Sequence, residues 1–393
     1  MCQLTFAHFT VILAPMSSLN QPVSRRDFLK LAGLGLGALA LRPLSSKLYL
    51  PENAGGLALP DFPQANLLGR NCSADTNMSG GMIFLKKRPD VNSDTLRNVY
   101  RDEVFPWVSE VSAETLNYAL PNQRWVNVSE GYIWSPQLQP CRNQPNTPLT
   151  ALPAGSAGCW MEVTVPYVDL ILDNPKPISG WMRDHVAYDL MPRLYYSQVM
   201  WIDQIRSSDS GTIQYHVNER YGNPGDLFWA EGAAFRPLSE EDISPIHPEV
   251  DPATKEIHVN LNYQTLSCRE NGREVYFCQV STGAFEGSTP VGEHAIQQKV
   301  VSIRMAASSV WGRYDLPGIS WTSLFTGDGV AIHAATSHNN FGAVQSHGCV
   351  NCKPEDAKWI FRWCQPAVPL EPGNVNWHDW KTGSTHVFVE DTF

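Results

Sequence analysis

Short apolar runs bounded by turn residues recur along most of the chain. Met82-Ile83-Phe84-Leu85, Val104-Phe105-Pro106-Trp107-Val108, Arg124-Trp125-Val126-Asn127-Val128 and Gly131-Tyr132-Ile133-Trp134 follow one another closely. Runs this short, rich in β-branched and aromatic residues and separated by Gly and Pro, predict strands joined by tight turns. Farther on, Glu256-Ile257-His258-Val259-Asn260-Leu261-Asn262 alternates polar and apolar residues as a half-buried strand does. Asn271-Gly272 then sits between two strand-like arms, a two-residue hairpin signal. Val330-Ala331-Ile332 predicts a buried strand that delivers His333 at its end. Lys353-Pro354-Glu355-Asp356 predicts a helix start, with Ala357, Ile360, Phe361 and Cys364 on one helical face, and Thr385-His386-Val387-Phe388-Val389 predicts a closing strand. The fold class is therefore mainly β, with a short helix near the C-terminus.

At 393 residues the chain has room for two or three domains. Hydrophobic residues make up 43% and charged residues 17%, a globular rather than a disordered composition. Acidic residues outnumber basic ones by 39 to 29 and no dense Lys/Arg stripe occurs, so nucleic acid is not an expected partner. The meander over residues 69–142 resembles the bacterial Src-homology-3-like modules attached to cell-wall enzymes. A weak internal repeat suggests a second such small barrel over 143–250. Tyr100–Trp107 parallels Tyr195–Ile202, and Gly131–Pro136 parallels Asp226–Glu231. A Pro- and acid-rich stretch, Pro245 to Pro252, marks the boundary of a last domain at 251–393.

The first 45 residues read as an address. Ser24-Arg25-Arg26-Asp27-Phe28-Leu29-Lys30 precedes the glycine-rich apolar run Leu31–Leu41, which resembles a twin-arginine export signal, and residues 46–68 read as a linker. The run is about half the ~20 residues that a membrane span needs, so no permanent span is expected. Export places the chain where disulfides persist. Cys72 and Cys141 bracket the first module and could close it.

The candidate chemistry lies at Ser346-His347-Gly348-Cys349-Val350-Asn351, thirteen positions after His333. A thiol with an ordinary pKa of ~8.5 is only partly ionised near neutrality, and an imidazole beside it can take its proton. Cys349 is the candidate nucleophile and His333 its partner. Gly348 allows close backbone approach, so amides of this loop could face the oxygen of a tetrahedral intermediate.

This pattern resembles the signature of the YkuD-type L,D-transpeptidase catalytic domain. Ser281-Thr282-Gly283, Thr289-Pro290-Val291-Gly292, Tyr314-Asp315-Leu316-Pro317-Gly318 and Trp321-Thr322 extend the likeness over residues about 256 to 390. The resemblance implies a β-sandwich-like catalytic domain, Cys349 as nucleophile and His333 as proton acceptor and donor. It also implies that the backbone of Gly348 and Cys349 forms the oxyanion site, that Ser346 and His347 shape the loop, and that Asn351 is structural. The implied activity is transfer of a peptidoglycan tetrapeptide to an amine acceptor with loss of D-alanine, without cofactor or metal. The expected partners are peptidoglycan stem peptides, and the expected location is outside the plasma membrane. Carboxypeptidase or endopeptidase action by the same cysteine, and a non-catalytic wall-binding protein, are the alternatives. A zinc site of His333, His347, Cys349 and Cys352 is a further reading, but those residues also satisfy the thiol-enzyme pattern without metal, which is the expectation. The C-x-x-C spacing also allows a reversible Cys349–Cys352 disulfide, with simple packing of Cys352 the favoured reading, and His338 reads as an exposed loop residue.

Overall fold

The computed structural model describes residues 58–73, 81–309, 312–376 and 383–392, so the twin-arginine segment lies outside the described residues. The described residues fall within one unit, Tyr49–Phe393. They form five sheets and three short helices, α1 (Gly180–Ala187), α2 (Glu240–Ile243) and α3 (Pro354–Trp363). The mainly β expectation holds. No described helix is long and apolar enough to cross a membrane.

The first β unit joins a five-stranded sheet, residues 83–134, to a three-stranded sheet in which Leu68–Asn71 lies between Val104–Pro106 and Leu138–Cys141. Ile83, Leu85, Val99, Phe105, Val126, Ile133 and Leu138 fill its core. A seven-stranded sheet over residues 159–237 follows, packed on Met161, Val163, Leu170, Met200, Ile202 and Phe228. Phe62, Leu68 and Cys141 join that second core, so the two units share apolar contacts.

The later pair of repeated segments follows a similar path, but two residues out of register with the sequence alignment, the turn starting after Trp134 in one and after Glu231 in the other. Tyr132–Trp134 runs through the 3-10 turn Ser135–Gln137 into Leu138–Cys141, and Phe228–Glu231 runs through Gly232–Ala234 into Phe235–Pro237. Asp102 and Ser197, at equivalent positions of the other repeat, both take positive φ, 65° and 69°.

The C-terminal third holds two five-stranded sheets over one core that includes Ile257, Val259, Val280, Val301, Trp321, Ile332 and Val350. The alternating segment forms the strand Lys255–Asn260, its odd positions buried as the pattern predicts. Asn271 (φ 51°) and Gly272 (φ 75°) link Glu270 to its partner Arg273, which makes the hairpin turn a primed one. Helix α3 buries Ala357, Ile360 and Phe361. Two buried lysines satisfy carbonyls at its C-terminal end. Lys255 Nζ donates to Trp363 O at 3.1 Å, and Lys299 Nζ to Cys364 O and Pro366 O at 2.6 and 2.7 Å. A cation there also complements the helix dipole.

A long hairpin, Gln298–Ser309 and Gly312–Leu324, reaches from this core to the second unit. Asp315 accepts from the Trp181 amide at the start of α1 (2.7 Å) and pairs with the buried Arg304, which also meets Glu219 at 3.2 Å.

The eight described cysteines are free thiols. The Cys72–Cys141 closure is not formed, because the strand register sets Leu68 opposite Cys141 and Asn71 opposite Leu138. The two cysteines thus sit at opposite ends of the pair. Four residue steps of extended strand are ~13 Å, well past the ~7 Å Cα limit for a disulfide.

Candidate active site

Two short strands place the candidate residues. Ala331–Ala334 and Val350–Cys352 pair in parallel, with Ile332 opposite Val350, His333 opposite Asn351 and Ala334 opposite Cys352. Carrying that register back one step sets Ala331 opposite Cys349. Side chains alternate across a sheet, so His333, Cys349 and Asn351 share one face while Ile332, Val350 and Cys352 enter the core on the other. His333 and Cys349 are diagonal neighbours, ~7–8 Å apart at the backbone, and Cys349 Sγ lies 3.9 Å from Gly329 O.

The turn before Cys349 is held from several sides. Ser346 Oγ donates to Cys349 O at 2.5 Å and accepts from Gly348 N at 3.0 Å. Thr289 Oγ1 donates to Gly348 O at 2.7 Å, and the amides of Gln345 and Ser346 both reach Thr282 O at 3.0 Å. Gly348 has φ +150°, and a Cβ there would lie 2.6 Å from Ser288 O, so only glycine fits. The Gly348 amide is spent on Ser346, contrary to its expected place in the oxyanion site. Among the described residues no hydrogen bond engages the Cys349 amide, which is the remaining expected donor.

Burial governs the protonation of the pair. His333 Nδ1 donates to Ala334 O at 2.9 Å, which leaves Nε2 as the unprotonated nitrogen, and burial holds the ring below its ordinary pKa. Burial pushes the Cys349 thiol up to about 11, against the opposing Ala331 amide and with a smaller push from Asp328. At rest the site thus holds a neutral thiol and a neutral base. As a whole residue Cys349 is half-buried. His347 is exposed and its ring tilts against Tyr314 at 5.3 Å. Burial and then the charge of Cys349 push the Tyr314 hydroxyl above its ordinary pKa. A cavity of about 500 Å³ opens next to Tyr314, between α1 and the long hairpin.

Residues 254–383 match the YkuD family, the L,D-transpeptidase catalytic domain. The match spans about a third of the chain and contains both His333 and Cys349. No curated protein matches the chain. Among solved structures, the chain is similar to a C442S mutant of an Enterococcus faecium L,D-transpeptidase (19% identity, 37% of this chain and 52% of that one, TM-score 0.29). An L,D-transpeptidase in complex with imipenem (19%, 62% and 100%, 0.28) and one from Mycobacterium smegmatis (16%, 62% and 100%, 0.28) are also similar. The chain spans about half the length of the Enterococcus faecium protein.

Within residues 254–383, one reading of the sequence is corrected and two lesser alternatives, the Cys349–Cys352 disulfide and the zinc site, are set aside. His338 is 7% exposed rather than open to solvent. Its Nδ1 accepts from the Asn340 amide at 3.2 Å and its Nε2 lies 2.9 Å from the Asn351 side-chain amide. Burial, with His333 nearby, lowers it to about 4. Cys352 does not face Cys349, because residues three apart on a strand point to opposite sides. It sits as a free thiol in the core cluster that also holds Cys278. That removes both the Cys349–Cys352 disulfide and the zinc site, whose His347 is moreover exposed. Among the described residues no group of three or more His, Cys, Asp or Glu is placed to hold a metal.

Proposed function

We propose that the chain is a peptidoglycan L,D-transpeptidase whose nucleophile is Cys349 and whose acid–base residue is His333. The observation that carries this reading is the register that sets the two on one face of a parallel strand pair, inside a segment matching the YkuD family. Cys349 Sγ attacks the carbonyl that precedes the terminal D-alanine of a tetrapeptide stem, and its proton passes to His333 Nε2. The carbonyl oxygen takes up negative charge, with the Cys349 amide as a donor. Collapse breaks the peptide C–N bond, His333 returns the proton to the leaving D-alanine nitrogen, and a thioester remains. An acceptor amine then attacks the thioester, giving its proton to His333 and from there to the departing sulfur. A resting neutral pair suits this sequence, since proton transfer accompanies attack.

The twin-arginine-like segment supports work outside the plasma membrane. The repeated β units ahead of the catalytic domain are read as Src-homology-3-like modules. Imipenem, present in one similar structure, is a convenient acyl donor. Mass spectrometry of the full chain should show one imipenem adduct on Cys349. Cys349→Ala should show none, and His333→Ala should slow the adduct far more than His347→Ala does. An adduct that persists in folded Cys349→Ala refutes the assignment.

A further inference from the structure

The loop that leaves His333 is held by the first β unit as well as by its own domain. Arg70, 2% exposed on the strand Leu68–Asn71, donates from Nη2 to Thr336 O at 2.9 Å. The same guanidinium bonds Gln139 Oε1 at 2.6 and 3.0 Å and Asp102 Oδ1 at 2.7 Å, and lies 3.8 Å over the Tyr195 ring. A buried cation with this many partners is fixed in orientation, so the carbonyl it holds is fixed too. Three residues beyond Thr336, the Asn339 amide donates to Pro136 O at 3.0 Å. Its Nδ2 reaches Ser135 O and Oγ at 3.3 and 3.2 Å.

His338 sits between these anchors. Its Nδ1 accepts a backbone N–H, so its proton is on Nε2, and a donor there needs an acceptor. Asn351 meets that need with its amide turned so that Oδ1 faces His338; in the opposite orientation Oδ1 is buried without a partner. Asn351 is the ladder partner of His333.

Resting on the transpeptidase reading, we propose that Arg70 is a positioning residue for the acyl transfer. By fixing Thr336 it holds His338 on Asn351, beside His333, and so makes the first β unit part of the catalytic centre rather than a tethered accessory.

The test uses the full chain, with two readouts: the imipenem acylation rate of Cys349, and hydrogen exchange of residues 335–341. Arg70→Ala should acylate about 10- to 100-fold more slowly, the size expected for displacing a reacting group by up to ~1 Å. Added guanidinium should restore part of the rate, and exchange should quicken in 335–341. Val126→Ala, which trims the core of the first unit without touching the loop, should lower the melting temperature and leave the acylation rate of the folded chain alone. A folded Arg70→Ala with the wild-type rate and wild-type exchange overturns the proposal. If Arg70→Ala does not fold, Asn339→Ala decides: several-fold slower acylation supports the clamp, and an unchanged rate overturns it. Wild-type protein that takes up no imipenem refutes the transpeptidase reading instead, and exchange in Arg70→Ala then judges the clamp alone.

Discussion

Replacing Gly348 by alanine puts one methyl group where the backbone leaves no space for it. The residue has φ +150°, a region that side chains rarely enter, and holding a non-glycine residue there costs about 1–3 kcal/mol. The new Cβ would also stand 2.6 Å from Ser288 O, whereas ordinary contact begins at 3.4 Å, so the turn must move by about 0.8 Å. That turn carries Cys349 on its next residue, and a displacement near 1 Å at a reacting group costs ~100-fold in rate. Gly348→Ala should therefore lower the melting temperature and reduce imipenem acylation of the folded chain by one to two orders of magnitude. Gly155→Ala supplies the control, since Gly155 also has positive φ (78°) but nothing within 4 Å of the added carbon. It should cost some stability and no acylation. A Gly348→Ala protein that melts and acylates like the wild type would refute the reasoning.

Burial gives two pH effects. His338 has a folded pKa of about 4 against an ordinary 6.5, so the unfolded chain binds more protons between those values. Stability from this group is present above pH 6.5 and is lost as pH falls to 4, by about 3 kcal/mol in all. Urea melts at pH 7 and pH 4 should show a smaller loss in His338→Gln. His333 is likewise held below its ordinary value, so the acylation rate should hold at pH 6.5, where an unperturbed imidazole is half protonated. A rate already halved there would contradict the depressed pKa. Lys299→Met strands the carbonyls of Cys364 and Pro366 in the core and should cost about 2–4 kcal/mol in a denaturant titration, without touching Cys349.

The C-terminal third was the most legible part of the chain because its signals are local. Asn271-Gly272 specifies its turn through two positive φ values, and Pro354 with the acids behind it specifies the start of α3. Val330-Ala331-Ile332 is apolar enough to define a buried strand, so His333 falls where expected. What the sequence did not reveal depends on which strand lies beside which. Cys349 and Cys352 are close in number, yet the strand between them turns their side chains to opposite faces. Cys72 and Cys141 bracket a module, yet the antiparallel register separates them. His338 looks like a polar loop residue until the loop is seen pressed between Asn351 and the first β unit. Arg70 gives no local sign of its role, since its partner Thr336 is 266 positions away.

Incubating the full chain with a tetrapeptide stem and an amine acceptor, and following enzyme and products by mass spectrometry, bears most directly on the acyl-transfer claim. The account predicts a transient thioester on Cys349, release of free D-alanine, and a cross-linked dimer as product. Tripeptide in place of dimer would make the same cysteine a hydrolase. Substrate turnover that survives Cys349→Ala, or a stem that never becomes attached to the sulfur, would contradict the account.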